Sequence, residues 1–160
     1  MNIKKISPKS LVFPNRLDIA CKYLFFKELD ATVPNQYIID LYKEHILKRS
    51  GGIEGGDRWI KGPSGKNSID DYISCAKLLH QSMKLYGFNK DYPIPYYIDR
   101  IGIENGAHRL SCALALNIDI YAMKVIPKRY KSWDEKWFKK KGFSQDDIDL
   151  LNKTHKMLSI

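Results

Sequence analysis

The stretch Ile103-Glu104-Asn105-Gly106-Ala107-His108-Arg109-Leu110-Ser111-Cys112-Ala113 constrains this chain more than any other. A short β-rich run, Pro95-Tyr96-Tyr97-Ile98 and then Ile101-Gly102-Ile103, stops at a polar Glu-Asn-Gly turn. A helical pattern follows, with Leu110, Ala113, Leu114 and Leu116 on one face. His108 and Arg109 therefore fall in the first turn of a helix. Four unpaired N–H groups and the helix dipole make that turn locally positive, so Asp or Glu normally occupy it. Two potential cations there fit an awaited anion. A phosphate would be held by the free amides, approached closely at Gly106 and gripped by the Arg109 fork. The same residues would also suit an ordinary turn glycine and a solvated arginine.

With their surroundings these residues resemble a known superfamily. Gly106-Ala107-His108-Arg109, the helix to Leu116 and a strand at Ile120-Tyr121-Ala122-Met123-Lys124-Val125 are similar to the ParB/sulfiredoxin-like proteins. The hallmark of that superfamily is a strand, a Gly-x-His/Arg-Arg turn, a short helix and a return strand. The helical stretch Ser68 to Tyr86, closed by Gly87, and the Pro-rich entry Asp91-Tyr92-Pro93-Ile94-Pro95 follow the same order. The resemblance covers residues 68–126. It implies that the turn and helix bind nucleotide phosphates. Sulfiredoxins carry a catalytic cysteine directly before the His-Arg pair; Ala107 stands there, so their chemistry is not expected. ParB partition proteins add a helix-turn-helix domain, for which too few residues follow the last strand. The closest branch is that of small-molecule kinases with an Asp-Gly-x-His-Arg motif, whose Asp is Asn105 here. Similar segments occur in proteins associated with surface-glycan synthesis.

The resemblance thus implies an ATP-dependent small-molecule kinase or related phosphotransferase in polysaccharide biosynthesis, with a nucleotide, Mg2+ and a small hydroxyl-bearing acceptor as its ligands. Phosphoryl transfer needs a phosphate clamp, charge neutralisation and a group that orients the acceptor hydroxyl. The clamp is expected from Lys22, Asn105, Gly106, Ala107, His108 and Arg109. Asp18, Glu54, Glu104 and His108 are the acid–base candidates. The rival reading is a non-catalytic nucleotide- or nucleic-acid-binding module. A nuclease would need several close carboxylates, which the sequence does not display.

Composition sets the outer bounds. The 160 residues are long enough for one domain with a real core, and a hydrophobic fraction of 44% argues against disorder. The expected organisation is one domain over 1–160, with its core at 68–126, an N-terminal helical part at 1–67 and a C-terminal helical extension at 127–160. No apolar run approaches the ~18–20 residues that cross a bilayer, so no membrane insertion is expected. The opening residues lack the apolar heart of a signal peptide. Cys21, Cys75 and Cys112 read as reduced thiols of a cytoplasmic protein. The net charge of +9 is concentrated partly in Lys124, Lys128, Arg129, Lys131 and Lys139-Lys140-Lys141. It fits a solvated face, attraction of a polyanion or steering of a nucleotide. Trp133, Trp137 and Phe138 stand among these charges at helical spacing, as anchors of a C-terminal helix or as stacking platforms.

The first half reads as helices over 16–29 and 35–49, the first with Leu17, Ala20, Cys21, Leu24 and Phe25 on one face. Asp18 and Lys22 share a face of it, either as an exposed ion pair or as a pair in which Lys22 meets phosphate and Asp18 a metal or hydroxyl. His45 fits a core histidine or a catalytic base. Four glycines (Gly51, Gly52, Gly55 and Gly56) flank Glu54, which suits a surface hairpin or a mobile loop that delivers the carboxylate. Gly62 to Ser68 superficially suggests a P-loop, but Ile60 stands where its first Gly should be and Asn67 where its Ser/Thr should be. Asn67 or Ser68 is the expected N-cap of the next helix. Ser144-Gln145-Asp146-Asp147 has the form of a capping box with Asp for Glu. The fold expected is α+β: a small mixed sheet around 94–103 and 120–126, carrying the 107–117 helix, surrounded by helices and closed by a C-terminal helical hairpin.

Overall fold

The structure is a computed structural model that describes residues 2–54, 60 and 65–159. It is a mixed α+β fold. Among the described residues six α-helices surround a three-stranded sheet: β1 (Ile3–Ile6), α1 (Asp18–Leu29), α2 (Gln36–Arg49), α3 (Ile69–Tyr86), β2 (Ile94–Tyr97), α4 (Ala107–Leu116), β3 (Ile120–Val125), α5 (Glu135–Lys140) and α6 (Gln145–Leu158). Among the described residues, no helix is long and apolar enough to cross a membrane.

The sheet order is β1-β3-β2. β2 runs parallel to β3, with Ile94 opposite Ala122 and Tyr97 opposite Val125. A parallel pair needs a crossover, and α4 lies on it. β1 joins the other edge of β3 antiparallel, Ile3 facing Met123 and Ile6 facing Ile120. Sequence reading missed this strand and assigned the first part of the chain to helices. Lys4-Lys5 gives β1 no apolar alternation, and the strand is exposed along most of its length, so its pairing is set by β3. β2 is also shorter than expected. The chain leaves the sheet after Tyr97 and folds back, and Ile103 meets the strand only through a bridge to Tyr96.

Helix termini follow local chemistry. Asn35 caps α2 by accepting from the Tyr37 N–H, and Ser68 caps α3 by accepting from the Asp71 N–H at 3.0 Å. Ser144 and Asp147 form the reciprocal capping box of α6. Ile19, Phe26, Ile46, Ile94, Leu110 and Ile120 are fully buried in the core between the sheet and α1, α2 and α4. Phe25 stacks on Tyr42 with ring centroids 4.0 Å apart, tying α1 to α2. Ser111 on α4 donates to the Ile19 carbonyl on α1 at 3.2 Å. This α1–α4 contact brings the start of α4 beside the start of α1, where the charged residues gather.

Candidate functional site

The turn at 105–109 is built as the spacing predicts. Gly106 takes the left-handed conformation (φ 90°) and α4 begins at Ala107, with no side chain capping it and no acid in its first turn. Leu110 makes the first intrahelical bond, to the Gly106 carbonyl. The amides of Ala107, His108 and Arg109 therefore have no partner among the described residues. Asn105 occupies the remaining donor: its side-chain oxygen accepts from the Gly106 N–H at 2.8 Å. A Cβ at Gly106 would stand 3.0 Å from an Arg109 guanidinium nitrogen and 3.3 Å from Ile94, so the turn and the arginine fit only around glycine. Arg109 donates one of its terminal N–H groups to the Tyr92 carbonyl.

This turn opens onto a cavity of about 490 Å³. Six cationic side chains line it: Arg16, Lys22, Arg49, Lys66, Arg109 and Lys131. Two carboxylates, Asp18 and Glu104, stand against them. Among the described residues no carboxylate comes within ion-pair distance of Arg49, Arg109 or Lys131. Arg49 instead donates to the Tyr72 hydroxyl at 2.8 Å and lies over the Trp133 ring at 5.6 Å. Arg16 lies over the same ring at 4.7 Å. Lys131 reaches the Glu104 carbonyl at 3.3 Å, and burial, then Arg16, lowers its pKa. A concave wall with a surplus of positive charge attracts anions.

Asp18 is 1% exposed and Lys22 3%, so the exposed-pair reading is corrected: the α1–α4 packing closes over both. Arg16 holds Asp18 in a bidentate pair at 2.8 and 2.9 Å, and Lys22 adds a third bond at 2.8 Å. Burial alone would raise the Asp18 carboxyl. The Arg16 and Lys22 charges outweigh it and hold the group well below the usual carboxylate range. Both oxygens are therefore committed to cations, and Asp18 fixes Arg16 and Lys22 in place.

Lys22 also lies 3.2 Å from Nε2 of His45. His45 is fully buried, stacks on Phe138 and does not line the cavity, so it is the core histidine of the two alternatives. Its Nδ1 is a buried polar atom without a partner among the described residues. His108 does line the cavity, and its Nε2 is 2.9 Å from the Tyr42 hydroxyl. Burial pushes the Tyr42 hydroxyl pKa well above 10, so that group stays neutral, and the tautomer of the His108 ring sets which of the two donates. The Nδ1 of His108 makes no bond among the described residues. Burial, followed by repulsion from Lys22, lowers the His108 pKa well below 6.5 and leaves the ring neutral at pH 7.

The remaining acid candidates separate. Glu104 is on the cavity wall, and its Oε2 accepts from the Lys128 N–H at 3.3 Å. Glu54 does not line the cavity. Its Oε1 accepts from the Ile69 N–H at 2.9 Å, at the positive end of α3, which supplies the charge it would otherwise seek from a ligand. Gly55 and Gly56 of the glycine-rich segment, and Gly62 to Ser64 of the P-loop look-alike, lie outside the described residues.

Among the described residues, no three His, Cys, Asp or Glu side chains form a metal-binding group. Arg49 is a wall residue to which sequence reading gave no role beyond the end of the second helix. Of the two readings of Trp133, helix anchor or stacking platform, the structure fits the platform: its backbone pairs with Asn15 and Leu17, and the guanidinium groups of Arg16 and Arg49 both lie over its ring. Trp137 and Phe138 do anchor α5, against His45 and Phe143. No family model, curated protein or solved structure matches the chain.

Proposed function

We propose that the chain is a nucleotide-dependent phosphotransferase of the ParB/sulfiredoxin-like kind, which moves the terminal phosphoryl group of ATP or a related nucleotide to a small hydroxyl-bearing acceptor. The observation that carries this reading is the open N-terminus of α4, with three unpartnered amides, facing a cavity whose cations outnumber its carboxylates. The amides of Ala107 to Arg109 and the Arg109 fork receive the phosphates, and His108 stands beside them on the cavity wall as a neutral ring. Arg16, Lys22 and Arg49 stabilise the charge that spreads over the transferring group. Asp18 positions Arg16 and Lys22 and takes no proton. Glu104 is the wall carboxylate outside any ion pair among the described residues, and it orients the acceptor hydroxyl and receives its proton. Magnesium arrives as the counter-ion of the nucleotide. The similarity of the motif to segments found with glycan-assembly proteins makes a sugar or polyol the first acceptor to try.

The full occupation of Asp18 favours a second reading, a non-catalytic nucleotide- or nucleic-acid-binding module, since it leaves Glu104 as the lone unpaired acid on the wall. The two are separated by measuring ADP release. Wild type and Glu104→Gln are titrated with ATP, ADP, CTP and GTP, with and without magnesium, and then supplied with acceptors. The phosphotransferase binds nucleotide in both forms, releases ADP in an acceptor-dependent way, and loses turnover in Glu104→Gln. Binding with no turnover on any acceptor supports the module; no binding at all removes both readings.

A further inference from the structure

The cavity has two chemically different ends. α3 forms one long wall, and Tyr72 and Met83 both contribute to it. At 1.5 Å per residue the distance between these two positions is about 16 Å. Around Tyr72 are the cations: Arg49 bonded to its hydroxyl and Lys66 5.2 Å above its ring. Past Ala76 the lining changes. Leu79, Met83, Phe88 and Tyr92 form an apolar end, and of the cations only Arg109 is tied to it, through the Tyr92 carbonyl. Phosphate has no use for this end.

Its construction suits a flat ring. Gly87 ends α3 at φ 76°, and a Cβ there would meet nothing within 4 Å, so the chain turns away and leaves open space beside Phe88. Neither Phe88 nor Tyr92 has an aromatic partner among the described residues, although twelve ring contacts are formed elsewhere. Tyr92 is 66% exposed, so its ring is open to a ligand in the cavity. Asn89, between them, uses its side-chain oxygen on the Asp91 N–H at 2.9 Å and keeps its amide hydrogens unbonded among the described residues. A planar heteroaromatic group could stack on the two rings and accept from Asn89.

We infer that this apolar end is the base subsite of the nucleotide: the base stacks on Phe88 and Tyr92, the α-phosphate passes Arg109, and the chain of phosphates runs along α3 toward Arg49 and Trp133. The inference rests on the phosphate-binding reading above and adds the direction in which the nucleotide lies. It also places the acceptor at the Trp133 end, beyond the terminal phosphate, where Glu104 stands.

The test compares ATP with inorganic tripolyphosphate by titration calorimetry on the wild type, Phe88→Ala and Tyr92→Ala, with melting curves to confirm folding. Tyr92→Ala is the second variant because its side chain is exposed and its carbonyl bond to Arg109 survives. The expected result is ATP bound on the order of 10-fold more tightly than tripolyphosphate, from base–aromatic stacking. Each variant should lose most of that preference while keeping its affinity for tripolyphosphate. Equal binding of the two ligands by the wild type, or a preference unchanged in both variants, overturns the base subsite and leaves the phosphate site standing. Failure of the wild type to bind either ligand overturns the phosphate reading itself.

Discussion

Arg109 carries the sharpest expectation at the scale of single residues. An Arg–phosphate pair is charge-assisted and bidentate, worth about 1.5–3 kcal/mol, so Arg109→Ala should weaken nucleotide binding by roughly 10- to 100-fold. Arg109→Lys should restore only part, because the fork is lost. Titration of folded variants decides it, and an unchanged Kd in Arg109→Ala removes the clamp. The thiols make a second case. Burial pushes Cys21 and Cys112 up to about 12, whereas Cys75 is exposed on the cavity wall. Iodoacetamide should modify Cys75 first, and ATP should slow that modification, as read by mass spectrometry; equal labelling with and without ATP would show that the cavity does not fill. Cysteine replacement should leave activity intact apart from packing losses, since Ala107 stands where sulfiredoxins place their thiol.

The same scale fixes the response to acid. His45 and His108 titrate well below 6.5 in the folded chain because burial disfavours the charged ring and Lys22 repels it. The unfolded chain takes up those protons at about pH 6.5 and the folded chain does not. Stability is therefore complete above that pH and falls as pH drops toward the lowered folded values. Both histidines contribute to that fall. Asp18, held low, extends the loss below about pH 4, where its unfolded carboxyl protonates. His45→Phe should retain the stacking on Phe138 and make the fall shallower. Denaturant melts between pH 5 and 7 measure it, and an unaltered slope would exclude His45 as a source.

Among the elements, the helices and the two paired strands β2 and β3 were legible, and β1 was not. Leu17, Cys21, Leu24 and Phe25 declare a 3.6-residue period, and Asn35, Ser68 and Ser144 declare where helices start. These are local signals, readable without a partner. β1 has no such signal; its existence depends on β3. The site divides in the same way. The 105–109 turn could be read because five adjacent residues build it. Arg49, Tyr72 and Trp133 come together only through the packing of α2, α3 and the loop before α5, and nothing in a single window announces that. Local features also have local consequences. Ser144→Ala should lower stability by about 1 kcal/mol through the lost α6 cap, with nucleotide affinity unchanged. A matching loss of affinity would mean that α6 communicates with the cavity.

Taken as a whole, the molecule concentrates its charge. The surplus of cations on the cavity wall predicts that binding of ATP or tripolyphosphate weakens as salt is raised, through screening over a Debye length of about 8 Å at physiological ionic strength. Kd measured between low and physiological salt should rise steadily, more so for tripolyphosphate than for a nucleoside monophosphate. An affinity indifferent to salt would put the ligand elsewhere. The topology has a further consequence, for the order of assembly. Among the described residues β1 and β2 do not pair with each other; each pairs only with β3, the last of the three strands in chain order. A growing chain that has emerged only as far as Leu116 holds two strands with no common neighbour, however well α1 to α4 have already packed. The sheet can zip only when 120–125 arrives, and then it must recruit Ile3–Ile6 from the opposite end of the sequence. The long loop this closes makes β1 the slow, late step of folding.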